Sequence, residues 1–153
     1  MTFVSGVRQS VFRTWFRLSR PMTLGVRGLI ENSDGEVLLL RHTYVSGWFF
    51  PGGGVERGEP SHQALARELV EEAGIVLGQP ADLIGIYSNH RVFRNDHVLF
   101  YRAVEWTPTE ATSRGEIAEI RWCQPSDPPD GTTPGTLRRL AEIYGGAERS
   151  DYW

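Results

Sequence analysis

The sequence predicts an α/β fold, a mixed β-sheet with helices on its faces, on three observations. Strand-like runs are interspersed with two or three amphipathic helical stretches rather than segregated from them. The chain has 153 residues, of which 40% are hydrophobic and 11% aromatic, enough for one ordinary globular core. No internal repeat or low-complexity segment interrupts it. One domain over residues 21–153 is therefore expected, preceded by a distinct segment at residues 1–20.

That first segment carries Val4, Val7, Val11, Trp15 and Leu18 at helical spacing, flanked by Phe12 and Phe16. Arg8, Arg13, Arg17 and Arg20 accompany them without one acid in the first 20 residues. The pattern predicts a basic amphipathic helix that packs on the domain or on a second subunit, which makes a homodimer a candidate assembly. Lying on a membrane surface is the competing use of such a helix. A transmembrane span and a signal peptide are both absent from the pattern.

Met22–Ile30 is the first strand expected. Asn32-Ser33-Asp34-Gly35 is a turn signal, and Val37–Arg41 returns from it, so a hairpin is predicted. Trp48–Phe50 is a short extended piece leading into Pro51-Gly52-Gly53-Gly54. A helix follows, and then the strands Leu83–Ser88 and His97–Val104 with a polar connection over Asn89–Asp96. Ile117–Cys123 is a further strand, and the Pro- and Asp-rich stretch Gln124–Gly131 is a loop. Thr136–Tyr144 closes the pattern as a helix with apolar Leu137, Leu140, Ala141 and Ile143.

Composition narrows the function. A net charge of −3 provides no general attraction to nucleic acid, and none is expected as a partner. Cys123 is the only cysteine, so no intrachain disulfide can form, and a cytoplasmic location is the simplest expectation. All 16 basic residues are arginine, which removes lysine Schiff-base chemistry and leaves guanidinium forks for phosphate oxygens.

The chemistry concentrates in residues 53–75. Pro60 suits a helix start and Gly74 a left-handed position just past its end. Between them Leu65, Ala66, Leu69, Val70 and Ala73 make an apolar side. Glu68, Glu71 and Glu72 stand at i, i+3 and i+4 and are expected to share the other side. Like charges at that spacing repel by roughly 0.2–0.5 kcal/mol per pair, and glutamates in a last turn oppose the helix dipole. A divalent cation reverses both penalties. Oxygen donors of this kind suit Mg²⁺, with Mn²⁺ as the alternative. A solvated acidic face is the plainer use of such a helix. The three consecutive glycines before it, which permit positive φ and close backbone approach, favour a site.

Gly53, five residues, Glu59, seven residues and Arg67-Glu68-Leu69-Val70-Glu71-Glu72-Ala73-Gly74-Ile75 closely resemble the signature of the Nudix (MutT-like) hydrolases. That signature is Gly-x5-Glu-x7-Arg-Glu-U-x-Glu-Glu-x-Gly-U with U apolar, and every fixed position matches. The resemblance implies a Nudix-type α/β/α sandwich in which the signature loop and helix form the metal site. It implies hydrolysis of a diphosphate linkage in a small-molecule nucleotide, a nucleoside diphosphate joined to another group. It also implies Glu68, Glu71 and Glu72 as metal ligands, with Glu71 as ligand or base, and Arg67, paired with Glu59, as the residue orienting them. The family commonly draws a further carboxylate from a distant loop. Glu116 is the candidate and Glu119 the runner-up.

Substrate contacts are expected from the backbone of Gly52, Gly53 and Gly54, from Arg41 and Arg91 toward phosphates, and from Tyr44 and Trp48 toward a base. Core packing explains the aromatics equally well. His42, His90 and His97 lie in or beside strands near the expected cleft and read as structural rather than catalytic, with His42 and His90 able to touch substrate, while His62 reads as solvent-exposed on the helix. Features that mark ADP-ribose and dinucleoside polyphosphate hydrolases beyond the signature are absent. A (deoxy)nucleoside triphosphate is therefore the expected substrate. Hydrolysis of ADP-ribose or another nucleoside diphosphate derivative, or a non-catalytic nucleotide-binding module, are the alternatives.

Overall fold

The computed structural model describes Trp15, residues 21–113 and residues 115–153. The helix expected over residues 1–20 lies outside the described residues except for Trp15. Strands β1 (Thr23–Leu29), β4 (Asp82–Ser88) and β5 (Asp96–Arg102) form a sheet in the order β1-β5-β4. In it β1 runs parallel to β5 and β4 antiparallel. Strand β2 (Val37–His42) pairs antiparallel with β7 (Ile117–Cys123), and β3 (Ile75–Leu77) with β6 (Trp106–Pro108). Helix α1 (Ser61–Glu68) continues into a π-helical turn at Leu69–Ala73, and α2 (Pro134–Tyr144) comes last.

Both faces of the strands are covered, giving the α/β/α layering. Val26, Leu38, Leu99 and Tyr101 pack with Ala64, Leu65 and Leu69 of the first helix. Leu29, Leu39, Phe50, Tyr87 and Phe100 pack with Leu140 of α2 on the other side. Neighbouring residues of one strand thus join different cores, as the two-residue period of a strand requires. Gly28 lets α1 close on β1, since a Cβ there would meet Leu69 Cδ2 at 3.1 Å and Leu65 Cδ1 at 3.3 Å.

The hairpin expected at Asn32–Gly35 is corrected. The turn forms, with Asn32 Oδ1 accepting from the N–H groups of Asp34 and Glu36, both at 3.0 Å. Beyond an isolated bridge at Glu31–Val37 the strands part, β1 going to β5 and β2 to β7. Each finds a longer ladder with a distant partner than with its neighbour. Strands β3 and β6, three residues each, were not foreseen from the sequence.

Candidate active site

The glycine loop runs beside β1 as an informal extra strand. Val26 N–H donates to the Gly53 carbonyl at 2.9 Å, Gly28 N–H to Pro51 at 2.9 Å, and Val55 N–H to Leu24 at 2.8 Å. Gly52 has φ 141°, and a Cβ there would sit 2.1 Å from the Val26 carbonyl oxygen. Its glycine is therefore demanded by β1. Gly54 does face open space, whereas Gly53 faces the Glu68 carboxylate. Both line a cleft of about 590 Å³ together with Arg27, Phe49, Phe93 and Trp153. A Cβ on Gly53 would meet the Glu68 carboxylate at 2.5 Å, so the loop and the helix glutamate touch only because residue 53 has no side chain.

The glutamates do not share a single face. The π-helical turn, ended by Gly74 at φ 63°, changes their angular spacing, as such turns do at functional sites. Glu72 turns inward, 5% exposed, and accepts the Gly52 N–H at 2.9 Å. Glu71 points outward with its side chain 41% exposed. Arg67 occupies the space among the remaining carboxylates. Its Nε and Nη2 grip Glu59 at 2.9 and 3.0 Å, and its Nη1 reaches Glu68 at 2.7 Å and Glu71 at 3.4 Å. Among the described residues no three His, Cys, Asp or Glu side chains are gathered closely enough to hold a metal ion. The carboxylates expected on one face are thus divided between an arginine-centred cluster of Glu59, Glu68 and Glu71 and an inward-turned Glu72.

The donor set nevertheless suits a hard cation: all its atoms are oxygens, and Glu72 is short of positive charge. Burial pushes the Glu72 carboxyl up to about 7, with Glu68 and Glu116 adding to the rise, against the Gly52 N–H and Arg27. Arg27 donates to the carbonyls of Gly52 at 2.7 Å and Phe50 at 3.0 Å, and burial lowers its own pKa. His42 lies behind Glu72, with Nδ1 3.7 Å from Oε1 and no hydrogen-bond partner for that nitrogen among the described residues. Burial, then Arg27, pushes its pKa down. Neutral His42 therefore gives Glu72 no counter-charge.

The other predicted residues scatter. Glu116 precedes β7, accepts from the Ser113 hydroxyl at 3.0 Å, and acts electrostatically on Glu72. The Ser113 N–H donates to the Glu71 carbonyl at 2.9 Å, which ties this loop to the glutamate helix. Glu119 instead bridges Arg41 at 3.1 Å and Arg121 at 2.6 Å. Trp48 is 5% exposed, packed in the core with the Arg41 and Arg121 guanidiniums over its ring, and it borders the groove of Arg41 and Tyr44 rather than the glycine cleft. Tyr44, 71% exposed, leans on His42 in that groove. Arg91 lies on the Tyr152 ring, 3.9 Å from its centroid, and is absent from the cleft lining. Sequence reasoning missed Arg27, although an arginine inside the apolar strand TLGVRGL was a visible signal. It also missed Asn89, Phe93 and Trp153, for which no local pattern spoke.

Known proteins give the same picture. A family model, the NUDIX domain, matches residues 21–142. A Bacillus subtilis (strain 168) protein provisionally named an 8-oxo-dGTP diphosphatase is 30% identical over 127 residues, 82% of this chain and 83% of the relative. A MutT-like protein of Streptomyces ambofaciens is 30% identical over 122 residues, 80% of this chain and 71% of the relative. The crystal structure of a MutT NUDIX hydrolase from Burkholderia pseudomallei superposes with a TM-score of 0.69 at 24% identity, covering 80% of this chain and 98% of that one. With the full signature in place on this fold, the chain belongs to the Nudix family of hydrolases, enzymes that cleave acid anhydride bonds.

Proposed function

We propose that this protein is a Mg²⁺-dependent pyrophosphohydrolase acting on a (deoxy)nucleoside triphosphate. The carrying observation is Glu72, a buried carboxylate among like charges that accepts the N–H of Gly52, the residue before the two glycines lining a 590 Å³ cleft. Mn²⁺ is the alternative cation. The Bacillus relative's name points toward a nucleoside triphosphate as well.

Glu68 and Glu72 would hold the cation, with Glu71 as a further ligand or as the base. Bound there, a divalent cation neutralises charge on the non-bridging phosphate oxygens and lowers the pKa of water. The chain supplies positioning. The Gly52 N–H fixes one oxygen of Glu72, and Arg27 fixes the two carbonyls beside it. Arg67 keeps Glu59, Glu68 and Glu71 in one cluster; its guanidinium stays charged because Glu59 holds it. Exposed Glu71 is free to take a proton from water, and Glu116, tethered by Ser113, is the second candidate for that step. Gly54 leaves the phosphates room to approach the backbone, and Gly53 lets the Glu68 carboxylate close on the loop.

The test is a panel of nucleoside triphosphates, 8-oxo-dGTP, ADP-ribose and other nucleoside diphosphate derivatives with Mg²⁺, products identified by mass. A triphosphate converted to monophosphate and pyrophosphate is expected as the fastest reaction. Faster cleavage of ADP-ribose would overturn the substrate reading, and no turnover anywhere would overturn the enzyme reading.

A further inference from the structure

Part of the cleft lining is built by the β4–β5 loop. Asn89 lines the cleft there beside Phe93, Leu24 and Trp153. Its polar groups are almost all committed. The main-chain N–H donates to the Asp96 carbonyl at 2.9 Å, and the carbonyl accepts from Val92 at 3.0 Å and Phe93 at 2.9 Å. The side-chain Nδ2 donates to Asp96 Oδ2 at 2.8 Å. The other Asp96 oxygen accepts the Thr23 hydroxyl at 2.7 Å, so the carboxylate is held from both sides.

A carboxylate can only accept, so Asp96 dictates which end of the Asn89 amide faces it. The NH₂ must turn to Asp96, which leaves Oδ1 as the uncommitted acceptor, beside the second N–H of Nδ2. Among the described residues Oδ1 has no hydrogen-bond partner, yet it is not one of the buried unpaired atoms, so it is accessible. The loop is stiffened around it: Asn95 adopts φ 60°, and its N–H donates to His90 Nδ1 at 3.1 Å. The result is a fixed acceptor among apolar side chains.

The geometry points to Asn89 as a specificity-determining residue, whose locked amide oxygen accepts a hydrogen bond from an N–H of the substrate's base lying against Phe93 and Trp153. The inference rests on the reading of this cleft as the nucleotide site. A base bearing an N–H satisfies the oxygen. A base with none leaves it desolvated and unpaired, which costs more than the bond itself gains.

ATP and GTP carry N–H donors on their bases, and purine riboside 5′-triphosphate carries none. Kd would be measured for all three by titration calorimetry, with Ca²⁺ replacing Mg²⁺ to hold back turnover. ATP and GTP should bind about tenfold more tightly than the purine riboside nucleotide. Asn89→Ala should bring the three to a common affinity. Should that variant fail to fold, Asp96→Asn removes the acceptor-only restraint, frees the amide to turn, and should shrink the ratio to about twofold. Equal affinities in the parent protein, or a ratio that survives both substitutions, would overturn the proposal, as would no binding of any of the three. These ratios come from binding and the hydrolase reading from turnover, so each fails separately.

Discussion

Among the described residues Glu72 and Arg139 are the least exposed acid and base, and they are buried on different terms. Arg139 is 0% exposed, but Glu142 faces it at 2.5 Å and the Tyr87 ring lies 3.7 Å beneath its guanidinium. Its Nη2 also donates to the Tyr152 carbonyl at 3.1 Å, which holds the C-terminal segment so that Trp153 reaches the cleft. Glu72 has one backbone N–H and a neutral histidine beside it, with Glu68 and Glu116 raising its pKa further. Arg139 is neutralised where it sits and serves the architecture. Glu72 stands among like charges, a condition a protein tolerates where a ligand completes the balance.

The comparison is tested most severely by Glu72→Gln. The substitution keeps the shape and removes the charge, so kcat should fall by about 10³ or more while the fold persists. Retained activity would place the chemistry elsewhere. Stability against pH provides an independent reading of the same residue. Burial lifts the carboxyl from 4.5 to about 7, so the folded state holds this proton more tightly than the unfolded chain. The stabilisation is complete below about pH 4.5 and lost as pH rises through 7, at most ~3 kcal/mol. Urea titrations of metal-free protein at pH 5 and pH 8 should show the loss, and Glu72→Gln should flatten it.

Arg139→Met should show the opposite profile. It strands the carboxylate of Glu142 and removes the cation from the Tyr87 face, costing about 3 kcal/mol in urea unfolding. Converting Glu142 to Leu as well should recover most of that, since an apolar pair of similar volume replaces a buried ion pair at little cost. Turnover per folded molecule should change far less than in Glu72→Gln. A loss of turnover on the Glu72 scale would show that Arg139 is no mere scaffold.

The two sites also differ in how far the sequence disclosed them. Local spacing foretold the signature helix and its Gly74 end, and the family resemblance implied the pairing of Glu59 with Arg67, because all of these interactions close within a few turns. It could not foretell the π-helical turn that sends Glu72 inward and Glu71 outward, since an α-helical period was the only template the pattern offered. Strand β7 appears over the residues its composition suggested, whereas the β1–β2 hairpin dissolved because β1 pairs with β5. Such pairing links Thr23 to Asp96 across 73 positions, beyond the reach of any local rule. Trp48 reads alike as a base platform or a core residue in the sequence, and its contacts with Arg41 and Arg121 come only with the assembled fold. The Asn89–Asp96 lock and the placement of Trp153 are likewise products of the assembled fold.

Arg67 lies between the two extremes, and its replacement is the mildest and most discriminating test. Glu59 is held below its usual range by the Arg67 hydrogen bonds, and the fork spans three carboxylates that a single ammonium cannot match. Arg67→Lys keeps the charge and discards the fork. If Arg67 only neutralises acids, the variant should behave as the parent. If it orients Glu68 and Glu71, kcat should drop about 10–100-fold, the range for residues that position metal-binding side chains. The Mg²⁺ concentration giving half-maximal rate should rise with it, while urea stability stays within about 1 kcal/mol. An unchanged Mg²⁺ dependence would reduce Arg67 to a surface ion pair and leave the glutamate cluster positioned by the π-helical turn alone.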